Sequence, residues 1–376
     1  MCVLLFLATT LNYLDRQTLS ILAPVIQEQM KLDNDDLGEL FSVFYFAYTF
    51  SQFGVGVLLD RFNLRTLYAL AVVAWSAACA LTGLANGFAA LMVFRLLLGV
   101  AESANWPAAM RVVSRTMPPE DRPLGNGIFT SGASIGAVIA PFVIVAINNQ
   151  FGWRWTFAAV GSIGALWFAA WMYFTRSPQL AGVWQAAPEA SRASGYGEIL
   201  RDPQFWRVFA VTIVINPCLY FQTNWLPLYF GQKWGIEAGP PIVAKLTLIY
   251  IGLDLGNLAC GAVAKWLASR GWSIRAARRA VFLAATALMS TTALAPHLAS
   301  VEAAVAALVV VNFAIGVWIS MYLTMAQEVS PARVSTAAGL LGGSGSLAGA
   351  AAMKAVGWVT QRTSSYTIPL TGVAVA

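Results

Sequence analysis

Asp15 and Arg16 stand side by side in an otherwise apolar run, MCVLLFLATTLNYLDRQTLSILAPVI. Each ionised side chain near the middle of a membrane helix costs about 2.5–3.5 kcal/mol on insertion scales. Such charges persist where they face a water-filled or protein-lined pathway, so the pair points to a route for ions or charged solutes. Arg95 and Glu102 form a second pair in the run Arg95-Leu-Leu-Leu-Gly99-Val-Ala-Glu102. Seven residues is two helical turns, so both side chains share a face. Burial favours a neutral carboxyl and a nearby guanidinium favours a charged one. That balance suits a carboxyl that loads and releases a proton, and the same four residues read otherwise as a structural ion-pair cluster.

Further polar residues lie at helical spacing. Tyr13, Arg16 and Ser20 follow i, i+3, i+7 and face one side. The second half carries Asn216, Tyr220, Gln222 and Asn224, then Asp254 and Asn257. Asn312, Trp318, Ser320, Tyr322, Ser344 and Ser346 follow in later apolar runs. Hydroxyls and amides suit a polyol chain, and each residue reads equally as an interhelical hydrogen bond. Asp254 and Lys354 are expected to pair across two helices, below the first-half charges in importance. Gly132-Ala-Ser134-Ile-Gly136 matches a nucleophile pattern, but an apolar helix is the wrong setting for a strand-turn-helix elbow. His297, the only histidine, falls in a short loop. Neither a phosphate-binding loop nor a metal-ligand cluster is apparent. Cys2, Cys79, Cys218 and Cys260 sit in apolar stretches without shared spacing and are expected to be buried structural thiols. The expectation is therefore no enzyme, no catalytic set, no metal and no cofactor, with transport driven by a gradient.

The elements that must hold these residues follow from composition. Of 376 residues, 58% are hydrophobic and 11% charged. A soluble domain carries about 25% charged residues. Roughly a dozen stretches are long enough to span a bilayer, which favours helices over a β-barrel. The expected spans are 2–24, 37–59, 66–85, 88–112, 124–147, 153–175, 204–230, 241–268, 278–296, 301–326, 334–358 and 366–376. No cleavable leader is evident, and the twelfth helix is expected to be incomplete in this chain. The polar stretch 176–203 separates six spans from six, giving an N-terminal bundle (1–175), a linker (176–203) and a C-terminal bundle (204–376).

Of the 23 Lys and Arg residues, 15 fall in or at the edges of loops after even-numbered spans and 5 in or at the edges of the opposite loops. Arg16, Arg95 and Lys354 lie inside spans. The bias places the even loops and both termini in the cytoplasm. The net charge of +6 is thus a topology signal, and no nucleic-acid partner is expected.

The segment Gly56-Val-Leu-Leu-Asp60-Arg61-Phe-Asn63-Leu-Arg65 follows the second span. Gly56 permits close helix approach, Asp60 and Arg61 can pair with neighbouring helix ends, and Asn63 sits where a left-handed turn residue is wanted. This resembles the loop signature of the major facilitator superfamily, departing from it at Asn63 and Leu64. A degenerate copy, Gly261-Ala-Val-Ala-Lys265, lies in the second half with Lys265 in place of the acid. The repeat fits two halves related by an axis along the membrane normal. The glycine pairs 132/136, 339/343 and 345/349 are expected to let the fifth and eleventh spans pack closely.

More specifically, Asn-Tyr-Leu-Asp-Arg-Gln in the first span resembles the anion:cation symporter family. So do Arg95-x-x-x-Gly-x-x-Glu102-Ser-x-Asn105-Trp-Pro in the fourth span, Gly127-Ile-Phe onward in the fifth and Trp225-Leu-Pro-Leu-Tyr in the seventh. The resemblance covers nearly the whole chain and implies an all-α integral membrane protein, a major facilitator fold of two six-helix bundles around a central cavity. It implies that Asp15 and Glu102 take protons and that Arg16 holds a substrate carboxylate, with Arg95 partnering the acids. Tyr13 and Tyr48 match aromatic hydroxyl positions lining a sugar-acid site. Asn105, Gln222, Asn224, Trp318 and Ser344 complete the substrate-binding expectation. The expected function is proton-coupled import of a monocarboxylate sugar acid, a hexuronate or an aldonate, by a monomer in the cytoplasmic (inner) membrane. The proton is the coupling ion, and the lipid bilayer is the other partner. A proton-driven drug exporter and a non-transporting sensor of the same fold are the alternatives, and Arg16 beside Asp15 argues for an anion.

Overall fold

A computed structural model describes residues 1–32, 34–186, 196–236, 240–363 and 365–375. The side chains of Asn224 and Lys354 lie outside the described set. The described residues fold into helices: α1 (Cys2–Met30), α2 (Asn34–Arg61), α3 (Leu64–Thr82), α4 (Phe88–Glu102), α5 (Asn105–Thr116), α6 (Arg122–Phe174), α7 (Gly197–Arg201), α8 (Pro203–Trp234), α9 (Pro240–Ser269), α10 (Ile274–Met289), α11 (Val301–Val329), α12 (Val334–Thr363) and α13 (Thr367–Val375). Short 3-10 segments follow α6 at Pro178–Trp184 and α10 at Ser290–His297. Among the described residues, eight helical stretches are long and apolar enough to cross a membrane. Charge-bearing α1 and glycine-rich α12 are not among the eight.

Helix ends follow local chemistry. The expected fourth span is broken into α4 and α5 by a tight turn at Ser103 and Ala104, where Ser103 N–H bonds Gly99 O at 3.3 Å and Ala104 N–H bonds Ala101 O at 3.4 Å. Pro107 lacks an N–H, so the carbonyl of residue 103 has no α-helical donor, and proline is tolerated only in a first turn. The break falls directly after Glu102. The expected fifth and sixth spans run together as the 53-residue α6, interrupted at Gly152 with φ 80. That backbone conformation favours glycine. Asn63 does not take the left-handed turn expected of it. It is extended (φ −61, ψ 116) and caps α3, its side chain accepting the Thr66 N–H at 3.2 Å. A cap satisfies an otherwise orphaned N–H of the first turn.

Two compact units are present. The first comprises residues 1–116, 131–202 and 327–343. The second comprises 117–130, 203–326 and 344–376. In chain order, α6 and α12 each contribute to both.

In the first unit an aromatic column joins α3 to α6. Trp167 and Trp171 stack at 5.1 Å, Tyr68 meets both edge-on, and Trp184 meets Trp171 at 5.5 Å. Each such ring pair contributes about 0.5–1.5 kcal/mol beyond its burial. The indole donors are satisfied: Trp167 donates to Leu4 O, Trp171 to Arg65 O and Trp184 to Thr175 O. Tyr68 Oη donates to Asn105 Oδ1 at 2.7 Å, and Asn105 Nδ2 donates to Thr9 Oγ1 at 3.2 Å. This chain fixes the start of α5 against α3 and α1.

The expected glycine contacts are present. A Cβ on Gly132 or Gly136 would strike the α1 backbone at Phe6 or Thr10, so α6 lies directly on α1. Gly339 and Gly343 pack on Gln52 and Phe53 of α2 within the first unit. Gly345 and Gly349 pack on Asn216 and Tyr220 of α8 within the second.

Candidate functional site

The charged residues of the first unit meet in one buried cluster. Arg16 Nε donates to Glu102 Oε2 at 2.5 Å, and the arginine is 17% exposed while Glu102 is 0% exposed. Asp15 and Arg95 are buried as well. The charged neighbours of Asp15 are Glu102 and Arg95, and Cys79 of α3 faces it. The cluster holds two acids and two bases, so all four can be charged with no net charge left in the core. The cluster is incompletely satisfied. Among the described residues, Asp15 Oδ1, Glu102 Oε1, Arg16 Nη2 and Arg95 Nε have no hydrogen-bond partner. Each such buried polar atom costs about 1–3 kcal/mol.

Aromatic rings surround the Arg16 guanidinium. Its carbon lies 4.5 Å from the Tyr48 ring centroid, 5.1 Å from Phe44 and 5.3 Å from Tyr13. Phe44 also lies 5.6 Å from the Arg95 guanidinium. Ring faces within about 6 Å attract a cation, by up to about 2 kcal/mol when water is excluded. They keep a guanidinium charged and oriented where hydration is poor. Gly99 makes the cage feasible: a Cβ there would strike Phe44 O on α2. Its absence lets α4 approach α2 closely enough for Arg95 to face Phe44.

The cluster is thus layered. Arg16 is the partly exposed member, Glu102 lies behind it, and Asp15 with Arg95 completes the buried layer. An anion that reached Arg16 would compete with Glu102 for it, and protonation of Glu102 would release Arg16. Six of the expected residues, Tyr13, Asp15, Arg16, Tyr48, Arg95 and Glu102, are brought together here. Asn105 has a different role. It is fully buried and its amide is used by Tyr68 and Thr9, so it anchors the α5 start beneath Glu102. Sequence reasoning missed Phe44, Cys79 and Asn12. Asn12 lies against Glu102, one turn before Arg16 on the same face. Its spacing was the available signal.

A family model described as "Major Facilitator Superfamily" matches residues 5–353. The chain belongs to the major facilitator superfamily. It is 26% identical to the D-galactonate transporter of Escherichia coli O6:H1, over 96% of this chain and 88% of the relative. It is 27% identical to the hexuronate transporter of Escherichia coli K12, over 93% and 84%. Among solved structures it resembles a major facilitator superfamily transporter, FucP, in the outward conformation. That likeness has a TM-score of 0.75 at 15% identity and covers 100% of this chain and 95% of that one. The expected likeness to galactonate and hexuronate carriers is met, and this facilitator is a multi-pass integral membrane protein.

The loop signature of this facilitator is engaged. Asp60 is buried and accepts N–H bonds from Ser335 at 3.3 Å and Thr336 at 2.7 Å, and the Thr336 hydroxyl at 2.7 Å. It therefore caps α12 with a negative charge, where the helix dipole favours one. Arg111 Nη1 lies 3.3 Å from Asp60 and donates to Leu59 O. Gly56 supplies the close approach: a Cβ there would strike Ser335 O. Arg61 is exposed. In the second unit the degenerate copy retains the contact with charges exchanged. Lys265 Nζ donates to Asp121 Oδ1 at 2.7 Å, ahead of α6. A Cβ on Gly261 would strike Leu124 of that helix.

The second unit's polar candidates are spread over separate contacts. Gln222 Oε1 accepts from Asn312 Nδ2 at 3.3 Å, both fully buried. Trp318 stacks on Phe282 at 4.6 Å. Ser344 is half-buried on α12, beside the Tyr220–Ser346 hydroxyl pair at 3.3 Å. Asn257 accepts from Ser320 at 3.1 Å. Asn224 and Lys354 have side chains outside the described set, so the expected Asp254–Lys354 pair lies outside it too.

Proposed function

We propose that this facilitator is a proton-coupled symporter that imports an organic anion, a monocarboxylate sugar acid of the hexuronate or aldonate class, by alternating access. The observation that carries the reading is the caged Arg16 held by a fully buried Glu102 at 2.5 Å. Removing the counter-charge from a buried pair costs about 3–5 kcal/mol. Arg16 therefore leaves Glu102 only when another anion replaces it, and Glu102 gives it up only when a proton neutralises the carboxylate. Proton loading and anion binding become two halves of one exchange.

Asp15 is the second proton site, and Arg95 holds the acids in place between cycles. The relatives named for galactonate and hexuronate transport support the substrate class. In this reading both termini lie in the cytoplasm, which the bias of basic residues toward the even-numbered loops supports, and the protein works as a monomer in the inner membrane. With that orientation, importing one negative charge works against an inside-negative potential by about 2.3 kcal/mol per 100 mV. One co-transported proton cancels that work, and two make uptake electrically favourable.

Purified protein in proteoliposomes tests the proposal. Galacturonate or galactonate is expected to accumulate when the outside is made acidic, and a protonophore is expected to abolish accumulation. Uptake of these acids that is indifferent to the proton gradient would overturn it.

A further inference from the structure

A cavity of about 260 Å³ lies at one end of the first unit, away from the charged cluster. Asn63, Arg65 and Thr66 line it from the start of α3, and Arg176, Ser177 and Trp184 line it from the segment after α6. Among the described residues no acid lines it. Its volume is below the roughly 300–1,000 Å³ of pockets for drug-sized ligands, so it suits a group the size of a lipid headgroup. Asn63 caps α3 and already takes the Thr66 N–H, so that helix end is satisfied and the cavity's positive character comes from the two arginines.

Both arginines are held in place without being neutralised. Arg65 Nε donates to Thr175 Oγ1 at 2.8 Å and Nη2 to Met172 O at 2.8 Å, while the Trp171 indole donates to Arg65 O at 3.0 Å. One edge of its guanidinium is spent on neutral acceptors, and its charge has no carboxylate partner among the described residues. The Arg176 guanidinium lies 4.3 Å from the Tyr173 ring centroid, which steadies its plane and uses none of its N–H groups. Two guanidinium groups on one small cavity repel each other, and an anion between them replaces that repulsion with attraction. Their planar forks match the oxygens of a phosphate. The rim is apolar: Phe62 directly precedes Asn63, Tyr173 and Phe174 directly precede the segment after α6, and all three are exposed.

We propose that this cavity binds the phosphate of an anionic phospholipid, with Arg65 and Arg176 as its cationic ligands and the acyl chains lying on the exposed aromatic rim. Both walls follow even-numbered spans, so in the orientation proposed for this facilitator the lipid belongs to the cytoplasmic leaflet. A basic pocket at that boundary is the kind that holds lipid headgroups. The bound lipid would tie the start of α3 to the segment that leaves α6. A free phosphate offers the same chemistry without the chains, and the exposed rings favour the lipid.

The test titrates the full chain, purified in a non-ionic detergent, with dioctanoyl-phosphatidylglycerol and follows the melting temperature. The lipid is expected to stabilise the wild type. Glycerol 3-phosphate and inorganic phosphate are expected to need at least about tenfold higher concentration, since two buried CH₂ groups already account for that factor. Arg176→Ala is expected to raise the lipid concentration at half-effect by about fivefold, the share of one arginine at a membrane surface. Arg65→Ala is expected to do the same where it folds, and Arg176, exposed and touching only an exposed ring, keeps the test open where it does not. Arg270→Ala is the control: that arginine is also exposed and lies 4.7 Å from the Trp266 ring, in the second unit, and its loss is expected to leave the titration unchanged. A wild type that the lipid does not stabilise, or an Arg176→Ala protein that titrates as wild type, overturns the inference. Equal weakening in Arg270→Ala overturns it in favour of general surface charge. Glycerol 3-phosphate or inorganic phosphate as potent as the lipid overturns the lipid assignment in favour of a soluble anion.

Discussion

Arg16 Nε lies 2.5 Å from Glu102 Oε2, and that contact ties a partly exposed cation to a carboxyl no solvent reaches. Arg16→Ala is expected to abolish substrate binding and to leave Glu102 without its strongest partner. Arg16→Lys keeps the charge but loses the planar fork and the stacking on Tyr13, Phe44 and Tyr48. A loss of affinity of at least about tenfold is expected, near 1.4 kcal/mol. Calorimetric titration with the transported acid measures both variants.

Ligand-induced thermal stabilisation sorts the substrate class. A ligand that binds only the folded protein raises stability by about 2.7 kcal/mol at a hundredfold excess over its dissociation constant. Galacturonate, glucuronate or galactonate is expected to raise the melting temperature. Neutral hexoses, which offer no carboxylate to Arg16, are expected to leave it unchanged.

Asp60 and Arg111 form a buried pair that also caps α12. Asp60→Asn removes the charge but retains an acceptor, leaving Arg111 buried and unpaired. A destabilisation of about 3–5 kcal/mol is expected. The double variant Asp60→Asn with Arg111→Met is expected to recover part of that loss, because no buried charge is then left alone. Thermal unfolding of the four proteins in detergent, as a double-mutant cycle, checks both statements.

Lys265 and Asp121 provide the contrast. The same contact is made with charges exchanged, but the lysine side chain is 60% exposed. Exposed pairs contribute little and are screened by salt. Lys265→Ala is expected to leave the melting temperature unchanged within error under the conditions in which Asp60→Asn shifts it.

The sequence showed the charged half of the site and hid its walls. Asp15, Arg16, Arg95 and Glu102 were legible because a charge in an apolar run needs an explanation and helical spacing says which charges share a face. Asp60 was legible because it lies in a spaced signature with Gly56. Phe44 was not, because an aromatic on a lipid-facing helix looks the same whether it touches lipid or a guanidinium. Cys79 carried no signal at all, since a thiol in an apolar helix reads as packing. Asn105 stood in the same motif as Glu102 and looked like a ligand, whereas the turn at Ser103 and Ala104 rotates it toward Tyr68 and Thr9. Asn63 looked like a left-handed turn residue because asparagine favours both that conformation and the helix cap, and only the backbone decides between them. One-dimensional spacing assigns faces along an unbroken helix, and it fails where the helix breaks.

Glu102→Gln gives the most direct test of the exchange between Arg16 and Glu102. The variant fixes Glu102 in a neutral form, so Arg16 is free for a carboxylate but no proton is carried on that residue. Two activities of the same proteoliposomes are measured: proton-driven accumulation of galacturonate, and counterflow of labelled against unlabelled galacturonate at equal pH. Accumulation is expected to fall to background while counterflow persists at a substantial fraction of wild type. Equal loss of both activities in a folded, reconstituted Glu102→Gln protein would contradict the account.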